Sequence, residues 1–326
     1  MKLGAFTILF LDRSFEECVS AISEAGCACI EIGCGGFIFK KHCDPRALLA
    51  DRAKLREWRK VVDDAGLDIS ALSSHANMLH PNPQISRQHL EEFHDAVRLA
   101  VELGVDRVIT FAGCPGDSDD AKQPNWVTCP WPEYFTEILN WQWEQKLIPF
   151  WRAQSEWLRA NGDVRVGLEM HPGDMVYTPE KLLGLRNACG DNICCNFDPS
   201  HLFWQQIDPS VAVRALGDAI VHVHVKDSGI DPEIVRVNGV LDNKPYADEA
   251  NRSWIFRTVG YGHGHETWKR LISTLRLVGY DDVLSFEHED SLMSSAEGLR
   301  KGLQFMREVT IVEPKGKTWF ELEEGA

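Results

Sequence analysis

The sequence lacks the features that mark a secreted or membrane protein. No apolar run approaches the roughly 20 residues that span a bilayer, and the N-terminal run MKLGAFTILFLDRSFEE has no small-residue cleavage site. None of the ten cysteines forms a C-x2-C pair, so we expect no structural zinc site. We therefore expect a cytoplasmic protein with reduced, buried thiols and no contact with a membrane.

Positive charge is scarce as well. The chain has 34 lysines and arginines but 49 aspartates and glutamates, and its formal net charge is −15. The chain has no stripe of Lys and Arg of the kind that follows a phosphate backbone. We therefore expect no nucleic-acid partner.

What the sequence does contain is a regular alternation of short β-type runs with amphipathic helical stretches, which is typical of parallel α/β proteins. The run SFEECVSAISEAG, for example, begins with Ser14 as an N-cap and has Glu17 three residues later. Eight strand–helix pairs in a chain of 326 residues predict a (β/α)8 TIM barrel. A doubly wound sheet is the alternative, but no G-x-G-x-x-G follows any strand. The predicted strands are Lys2–Ile8, Ala28–Gly33, Leu67–Ser74, Asp106–Ala112, Val164–Met170, Asn192–Asp198, Ile220–Lys226 and Asp282–His288.

We expect a single barrel domain over residues 1–312 and a C-terminal tail over residues 313–326. Two connections, 113–132 and 228–264, are too long for plain turns, and both follow predicted strands. Barrel enzymes carry their active-site loops at these ends. The two connections are therefore candidate lids, and the alternative is that they are surface insertions or subunit contacts.

Polar side chains fall on one face of four predicted strands, because successive residues in a strand point to opposite faces. In IVHVHVKD the valines share one face, while both histidines and Lys226 share the other. The same alternation puts Glu169, Asp198 and Glu287 on the axis side, at the carboxyl ends of their strands. These side chains are therefore expected at the rim where TIM barrels carry their active sites.

Three carboxylates packed together repel one another unless a cation lies among them. A donor set of mostly carboxylate oxygens with one imidazole favours a hard or borderline ion such as Mn²⁺ or Mg²⁺, and geometry can admit Co²⁺, Ni²⁺ or Zn²⁺. We expect a divalent metal at this rim, and specifically Mn²⁺.

The runs GLEMHPG, NFDPSH, VHVHVKD and LSFEHED resemble those of the sugar phosphate isomerase/epimerase family of xylose isomerase-like barrels. This family includes ketose 3-epimerases, inosose dehydratases and apurinic-site endonucleases, and the likeness covers nearly the whole chain. The resemblance implies a xylose isomerase-like TIM barrel whose metal is held by residues of the last four strands, here Glu169, Asp198, His224 and Glu287. It also implies that His201 contacts the substrate.

The resemblance further implies an isomerase or epimerase that removes a proton from the carbon next to a carbonyl of a keto-sugar or cyclitol. Glu169 and Glu287 would exchange protons on opposite faces of the substrate. Elementary chemistry agrees, because a metal on the carbonyl oxygen polarises the C=O and stabilises the enediolate that forms.

Elimination by a lyase or dehydratase on the same site is the alternative, and it needs a separate acid. The run HVHVKDSG at the end of strand seven and the long insert after it favour an oxidised sugar or cyclitol as the substrate. A 3-keto-glycoside is one such substrate, which this chain would cleave as one subunit of a C-glycoside-cleaving assembly. The candidate acids and substrate-binding residues are His75, His171, His201, Lys226, Glu31 and Arg257.

Two further classes stay open. An apurinic-site endonuclease needs a basic groove, which the net charge of −15 opposes. A non-catalytic subunit could bind a partner through the tryptophan-rich run over residues 131–157, although such residues more often line a helix-shell core. A homo-oligomer or a second protein subunit is therefore a further expectation, beside a small sugar or cyclitol as the substrate.

Overall fold

The computed structural model describes residues 1–317 and residue 319. Eight parallel strands close into a barrel in the order β1-β10-β7-β6-β5-β4-β3-β2, so the predicted (β/α)8 TIM barrel is confirmed. Each predicted strand overlaps an observed barrel strand. The barrel strands are β1 (Lys2–Phe6), β2 (Cys29–Gly36), β3 (Asp68–His75), β4 (Arg107–Phe111), β5 (Arg165–Glu169), β6 (Ile193–Phe197), β7 (Ile220–Val225) and β10 (Val283–Phe286), while β8 (Asp227–Ile230) and β9 (Trp254–Arg257) form a separate antiparallel pair.

Helices surround the barrel and follow the strands along the chain. The predicted capping box at the first helix is present, since the backbone N–H of Glu17 donates to the Ser14 hydroxyl and the backbone N–H of Ser14 donates to the Glu17 carboxylate. A π-helical segment, Gln142–Leu147, joins two of the helices. The helices are α1 (Phe15–Glu24), α2 (Pro45–Ala50), α3 (Arg52–Asp64), α4 (Pro83–Leu103), α5 (Tyr134–Trp141), α6 (Ile148–Ala160), α7 (Pro179–Cys189), α8 (Ser200–Phe203), α9 (Pro209–Leu216), α10 (Pro232–Asn238), α11 (His265–Leu277) and α12 (Ser295–Val309).

The main apolar core lies between the strands and the helices. Trp151 of α6 is fully buried in it, and its indole N–H donates to the carbonyl oxygen of Ala112 at 2.9 Å. Trp157 of the same helix stacks on His94 of α4, with ring centroids 3.8 Å apart. These tryptophans of the 131–157 run therefore contribute to the helix shell, whereas Trp131 is largely exposed.

The two long connections differ in structure. Residues 113–132 have no regular helix or strand, whereas residues 228–264 contain α10 and most of the β8–β9 hairpin. Trp254 and Phe256 of β9 form a second apolar cluster together with Trp204, which follows α8. The later connection is therefore a folded element with a small core of its own.

The barrel ends shortly before the predicted C-terminal tail. The last helix ends at Val309, and residues 318 and 320–326 of the predicted tail lie outside the described residues. The division into one barrel domain and a tail stays a prediction.

All ten cysteines are free, and most of them are buried. Within residues 1–317 and 319, none of the helices combines the length and the apolar character that a bilayer span requires.

Substituting Gly36 by Ala is expected to destabilise the barrel strongly. Gly36 ends β2 with φ +67°, and a Cβ there would overlap the carbonyl oxygen of His75, which ends β3. Left-handed strain of roughly 1–2 kcal/mol and overpacking of roughly 1–3 kcal/mol add to an expected loss of about 2–5 kcal/mol in the free energy of unfolding. Urea denaturation of the two proteins measures this loss.

Gly66→Ala is the matched control, because Gly66 has φ +70° but nothing within 4 Å of the added Cβ. It should cost only the strain, about 1–2 kcal/mol. Equal losses for Gly36→Ala and Gly66→Ala would contradict the steric argument.

Candidate metal centre

Four acidic and imidazole side chains meet at the carboxyl ends of the last four barrel strands. Glu169 ends β5, Asp198 follows β6, His224 lies near the end of β7, and Glu287 follows β10. One ligand atom from each lies within 4.8 Å of the others, and all four residues are buried. The structure thus brings together the four residues that the sequence proposes as ligands, and we call them the carboxylate cluster.

His224 lies between two sets of carboxylates. Its Nδ1 is 2.9 Å from Glu287 and 3.1 Å from Glu169, whereas its Nε2 is 3.0 Å from both oxygens of Glu31. Burial lowers the pKa of His224, but the surrounding carboxylates outweigh burial and raise that pKa well above its ordinary value. A cation among the carboxylates would take over the charge that this proton supplies.

Glu169 is held from several sides. His201 Nε2 lies 3.1 Å from Oε1, His75 Nε2 lies 3.0 Å from Oε2, and the Asn196 amide donates to Oε2 at 3.0 Å. Burial raises the pKa of Glu169, but His224 and these hydrogen bonds hold it well below its usual range. Glu169 is therefore an ionised carboxylate in a fixed orientation.

Lys226 follows β7 and supplies the positive charge on the other side of the cluster. Its Nζ lies 3.0 Å from Asp198, 3.1 Å from Glu287 and 2.8 Å from Glu289. Burial lowers the pKa of Lys226, but these carboxylates raise it well above its ordinary value. The ammonium group also lies 4.9 Å from the centre of the Phe256 ring, in cation–π contact.

The carboxylate cluster fits a divalent cation. Asp198 Oδ2 and Glu287 Oε2 are buried and accept no hydrogen bond of good geometry from the described residues, although Lys226 Nζ lies within 3.1 Å of both and His224 Nδ1 lies 2.9 Å from Glu287. Buried carboxylate oxygens without hydrogen bonds are costly, and a cation satisfies them. Three carboxylates with one imidazole form a donor set for a hard or borderline metal ion.

Apart from Glu31, the remaining predicted site residues lie at three different distances from the carboxylate cluster. His75, His201 and Lys226 contact the carboxylate cluster directly, as described above. The His171 ring packs edge-on against His201, with centroids 4.3 Å apart, and burial together with His201 lowers the pKa of His171 to about 3. Arg257 does not join them, because its guanidinium pairs with Asp290 and lies over Tyr261.

Glu31 lies behind His224 instead of facing a substrate. Its oxygens are occupied by His224 and by the hydroxyls of Ser73 and Ser285, at 2.5 and 2.6 Å. A carboxylate that accepts the second N–H of a metal-binding histidine fixes its tautomer and orientation. The geometry of Glu31 therefore fits a positioning role better than the predicted substrate contact.

Three neighbours of the cluster had no role in the sequence interpretation. The Asn196 amide links Glu169 to His222, and its place on the axis face of the predicted strand was the available signal. Burial raises the pKa of Asp174 to about 7, with a contribution from Glu169. Phe256 packs edge-on against His201 at 5.4 Å. Asp174 lies in a loop and Phe256 in β9, outside the barrel, so the alternation of the barrel strands carries no information about either.

The comparison with protein families agrees with this geometry. The family model of the xylose isomerase-like TIM barrel matches residues 19–309, which is most of the chain. The chain belongs to the xylose isomerase-like TIM barrel family. The predicted resemblance to the xylose isomerase-like barrels is thereby confirmed.

Relatives of this xylose isomerase-like barrel extend over most of its length. The uncharacterized protein YfiH of Bacillus subtilis (strain 168) is 35% identical over 310 residues, which cover 94% of this chain and 99% of that one. The probable 3-DHS dehydratase AsbF of Bacillus anthracis has a TM-score of 0.63 at 20% identity, with 94% and 99% of the two chains covered. The 3-keto-D-glucoside 4-epimerase YcjR of E. coli has a TM-score of 0.60 at 15% identity, with 94% and 99% covered. These solved structures share the fold.

Replacing Glu31 by Gln is expected to weaken metal binding by about 10–100-fold, the usual effect of losing such a positioning partner. Gln keeps the size of Glu31 but removes the charge that accepts the Nε2–H of His224. Competition with a fluorescent chelator measures the dissociation constant for Mn²⁺. Glu92→Gln is the control, since Glu92 is a buried carboxylate on α4 that contacts Lys40 and Gly36. A Glu31→Gln protein with the affinity of the Glu92→Gln protein would contradict the positioning role.

Proposed function

We propose that the chain is a metal-dependent enzyme that removes a proton from the carbon next to a carbonyl of a sugar or cyclitol, as an isomerase or epimerase. One observation carries the proposal: two carboxylates suited to proton transfer, Glu169 and Glu287, share one buried cluster with Asp198 and His224. That cluster lies where barrel enzymes of many kinds bind their substrates.

Each residue of the cluster has a proposed role that follows from its contacts. A divalent cation bound there, for which we propose Mn²⁺, supplies a Lewis acid for the negative charge that develops on the substrate oxygen. Glu169 is ionised and held by His75 and His201, so it is ready to accept a proton. Glu287 contacts the same Nδ1 of His224 as Glu169, lies beside Lys226, and is proposed as the second proton-transfer group.

The burial of these groups supports the same reaction. Water is a competing proton donor and acceptor, and its exclusion strengthens every electrostatic contact in the site. Phe256 contributes an apolar surface next to Lys226 and His201. Glu169 and Glu287, and not bulk water, would therefore take the proton from the substrate and return a proton to it.

Elimination by a lyase or dehydratase is the second candidate, because imidazoles border the same cluster and could supply an acid. Lys226 is paired with Asp198, Glu287 and Glu289 and is not the proposed acid. His171 is uncharged near neutral pH, since its pKa is lowered to about 3. His75 and His201, which contact Glu169, are therefore the proposed donors for a leaving hydroxyl or glycoside. The relatives include both an epimerase and a probable dehydratase.

Solvent-exchange experiments test the proposal. The purified chain, loaded in turn with Mn²⁺, Mg²⁺, Co²⁺ and Zn²⁺, is incubated in D₂O with ketoses, inososes and 3-keto-glucosides, and the products are followed by NMR. We expect loss of the proton signal next to the carbonyl, fastest with Mn²⁺. An epimerised or isomerised product identifies the first candidate, and loss of water or of an aglycone identifies the second.

A protein that binds none of these ions and exchanges no proton in any substrate would overturn the enzymatic proposal. The prediction of a non-catalytic subunit with a protein partner would then take its place.

A further inference from the structure

Lys226 joins the carboxylate cluster to one further carboxylate, that of Glu289. Its Nζ donates a hydrogen bond to Glu289 Oε1 at 2.8 Å and lies 3.0 Å from Asp198 and 3.1 Å from Glu287. A single ammonium group therefore separates Glu289 from two of the candidate metal ligands.

Glu289 differs from the other two partners of Lys226 in its exposure. The side chains of Asp198 and Glu287 are 0% and 8% exposed, whereas that of Glu289 is 44% exposed. Lys226 uses one oxygen of Glu289, so the second oxygen can accept hydrogen bonds from a ligand. Glu289 is thus the partner of Lys226 that a molecule arriving from solvent can reach.

The charges around the cluster leave Glu289 uncompensated once a divalent cation is bound. Such a cation and Lys226 together balance the three carboxylates of the cluster. Glu31 and Glu289 then remain as additional negative charges, and Glu31 is fully buried behind His224. The accessible side of the site therefore carries the negative charge of Glu289, which repels an anionic group.

Three cations of the later connection are engaged with other groups. Arg257 forms the ion pair described above. Arg252 is only 3% exposed, and its guanidinium donates to the backbone carbonyls of Lys244 and Trp254. The ammonium group of Lys244 pairs with Asp242 at 2.9 Å. These three side chains therefore offer no free charge to a phosphate or carboxylate of a ligand.

An aromatic surface borders the same ammonium group. Lys226 Nζ lies over the Phe256 ring, and Tyr246 stacks on Phe256 with centroids 5.8 Å apart. Burial raises the pKa of Tyr246, and the negative charge of the nearby Glu289 raises it further. Aromatic faces pack against the C–H groups of a sugar or cyclitol, while a carboxylate accepts hydrogen bonds from its hydroxyls. The combination suits a polyhydroxyl ligand.

We propose that Glu289 is a specificity-determining residue that selects an uncharged polyhydroxyl substrate and rejects one that carries a phosphate or carboxylate group. This inference rests on the proposed function, which puts the substrate at the carboxylate cluster. Hydroxyls of the substrate donate to the accessible oxygen of Glu289, and such charge-assisted hydrogen bonds are stronger than neutral ones. An anionic group in the same position meets a like charge, and this repulsion discriminates between the two classes of substrate.

Binding of matched neutral and anionic probes tests the proposal without turnover. The full chain, as purified and after loading with Mg²⁺, is titrated with D-fructose and its 6-phosphate, with methyl glucoside and methyl glucuronide, and with myo-inositol and its 1-phosphate. Saturation-transfer NMR gives the dissociation constants. We expect the neutral members to bind about tenfold more tightly than their anionic partners, the effect of one close like charge near a protein surface.

Glu289→Gln is expected to abolish this preference, because Gln keeps the size of the side chain but removes its charge. Glu289→Asp keeps the charge and should keep the preference. Glu297→Gln is the matched control, since the Glu297 side chain is 45% exposed and pairs with Lys301 at 2.7 Å, on α12. It should bind every probe as the unmodified chain does.

An unchanged preference in Glu289→Gln, or an equal loss of preference in Glu297→Gln, would contradict the role of Glu289. Tighter binding of the anionic partners by the unmodified chain, or no binding of any neutral probe, would overturn the assigned substrate class. Preferential binding of neutral probes without any metal-dependent exchange would overturn the proposed function alone. Exchange in anionic substrates but not in neutral ones would overturn this inference alone.

Discussion

Glu169→Gln and Glu287→Gln are each expected to lose stoichiometric metal and nearly all exchange activity. Each substitution removes one of three carboxylates from a cluster whose ligand atoms lie within 4.8 Å of one another. It also removes a group proposed to transfer the proton, which is worth about 10²–10⁴-fold in rate. Elemental analysis of the purified variants measures the metal, and deuterium uptake into the substrate measures the activity.

Glu92→Gln serves as the control for both variants. Glu92 is a buried carboxylate like Glu169, but it lies on α4 and pairs with Lys40. Its substitution should leave the metal content and the exchange rate unchanged. Full metal content in both Glu169→Gln and Glu287→Gln would show that the cation lies elsewhere in the protein.

Trp151→Ala is expected to lower the free energy of unfolding by about 3–5 kcal/mol, the usual cost of truncating a buried Trp. Trp151 is fully buried between α6 and the barrel, and its indole N–H satisfies the carbonyl of Ala112 just after β4. The substitution leaves a cavity and an unpaired carbonyl together. Urea denaturation followed by circular dichroism measures the change.

Trp131→Ala provides the comparison, because Trp131 is 71% exposed. It should change the free energy of unfolding by no more than about 0.5 kcal/mol. Trp151→Phe, which keeps most of the ring volume but loses the donor, should fall between the two. A loss of less than about 1 kcal/mol in Trp151→Ala would contradict the packing described for α6.

The barrel could be predicted because its pattern is local and repeated. In a run such as IVHVHV, the alternation of apolar and polar residues predicts both the strand and its two faces, since neighbouring side chains point to opposite sides. The same alternation put His224, Glu169 and Glu287 on the axis side of their strands. Barrel closure then required them to meet at one rim, because parallel strands in a barrel end on the same side.

The connections could not be predicted in this way, because no periodicity links their residues to the barrel. Arg257 was among the candidate substrate-binding residues, but it pairs with Asp290 in the folded chain. Glu31 was among the same candidates, but its carboxylate lies against His224. In both cases the partner is distant in sequence or lies in a loop, so only the folded chain brings the two together.

By itself, the sequence determined the eight-stranded barrel, the axis face of four strands and the set of Glu169, Asp198, His224 and Glu287 as candidate ligands. The barrel and the axis faces follow from local alternation and from the position of a residue along its strand. The choice of His224 for the ligand set follows from the resemblance to the xylose isomerase-like barrels. The tertiary structure alone decided that Glu31 supports His224 and that Phe256 borders Lys226. Contacts of this kind join loops far apart in sequence, and they depend on how each loop folds back over the rim.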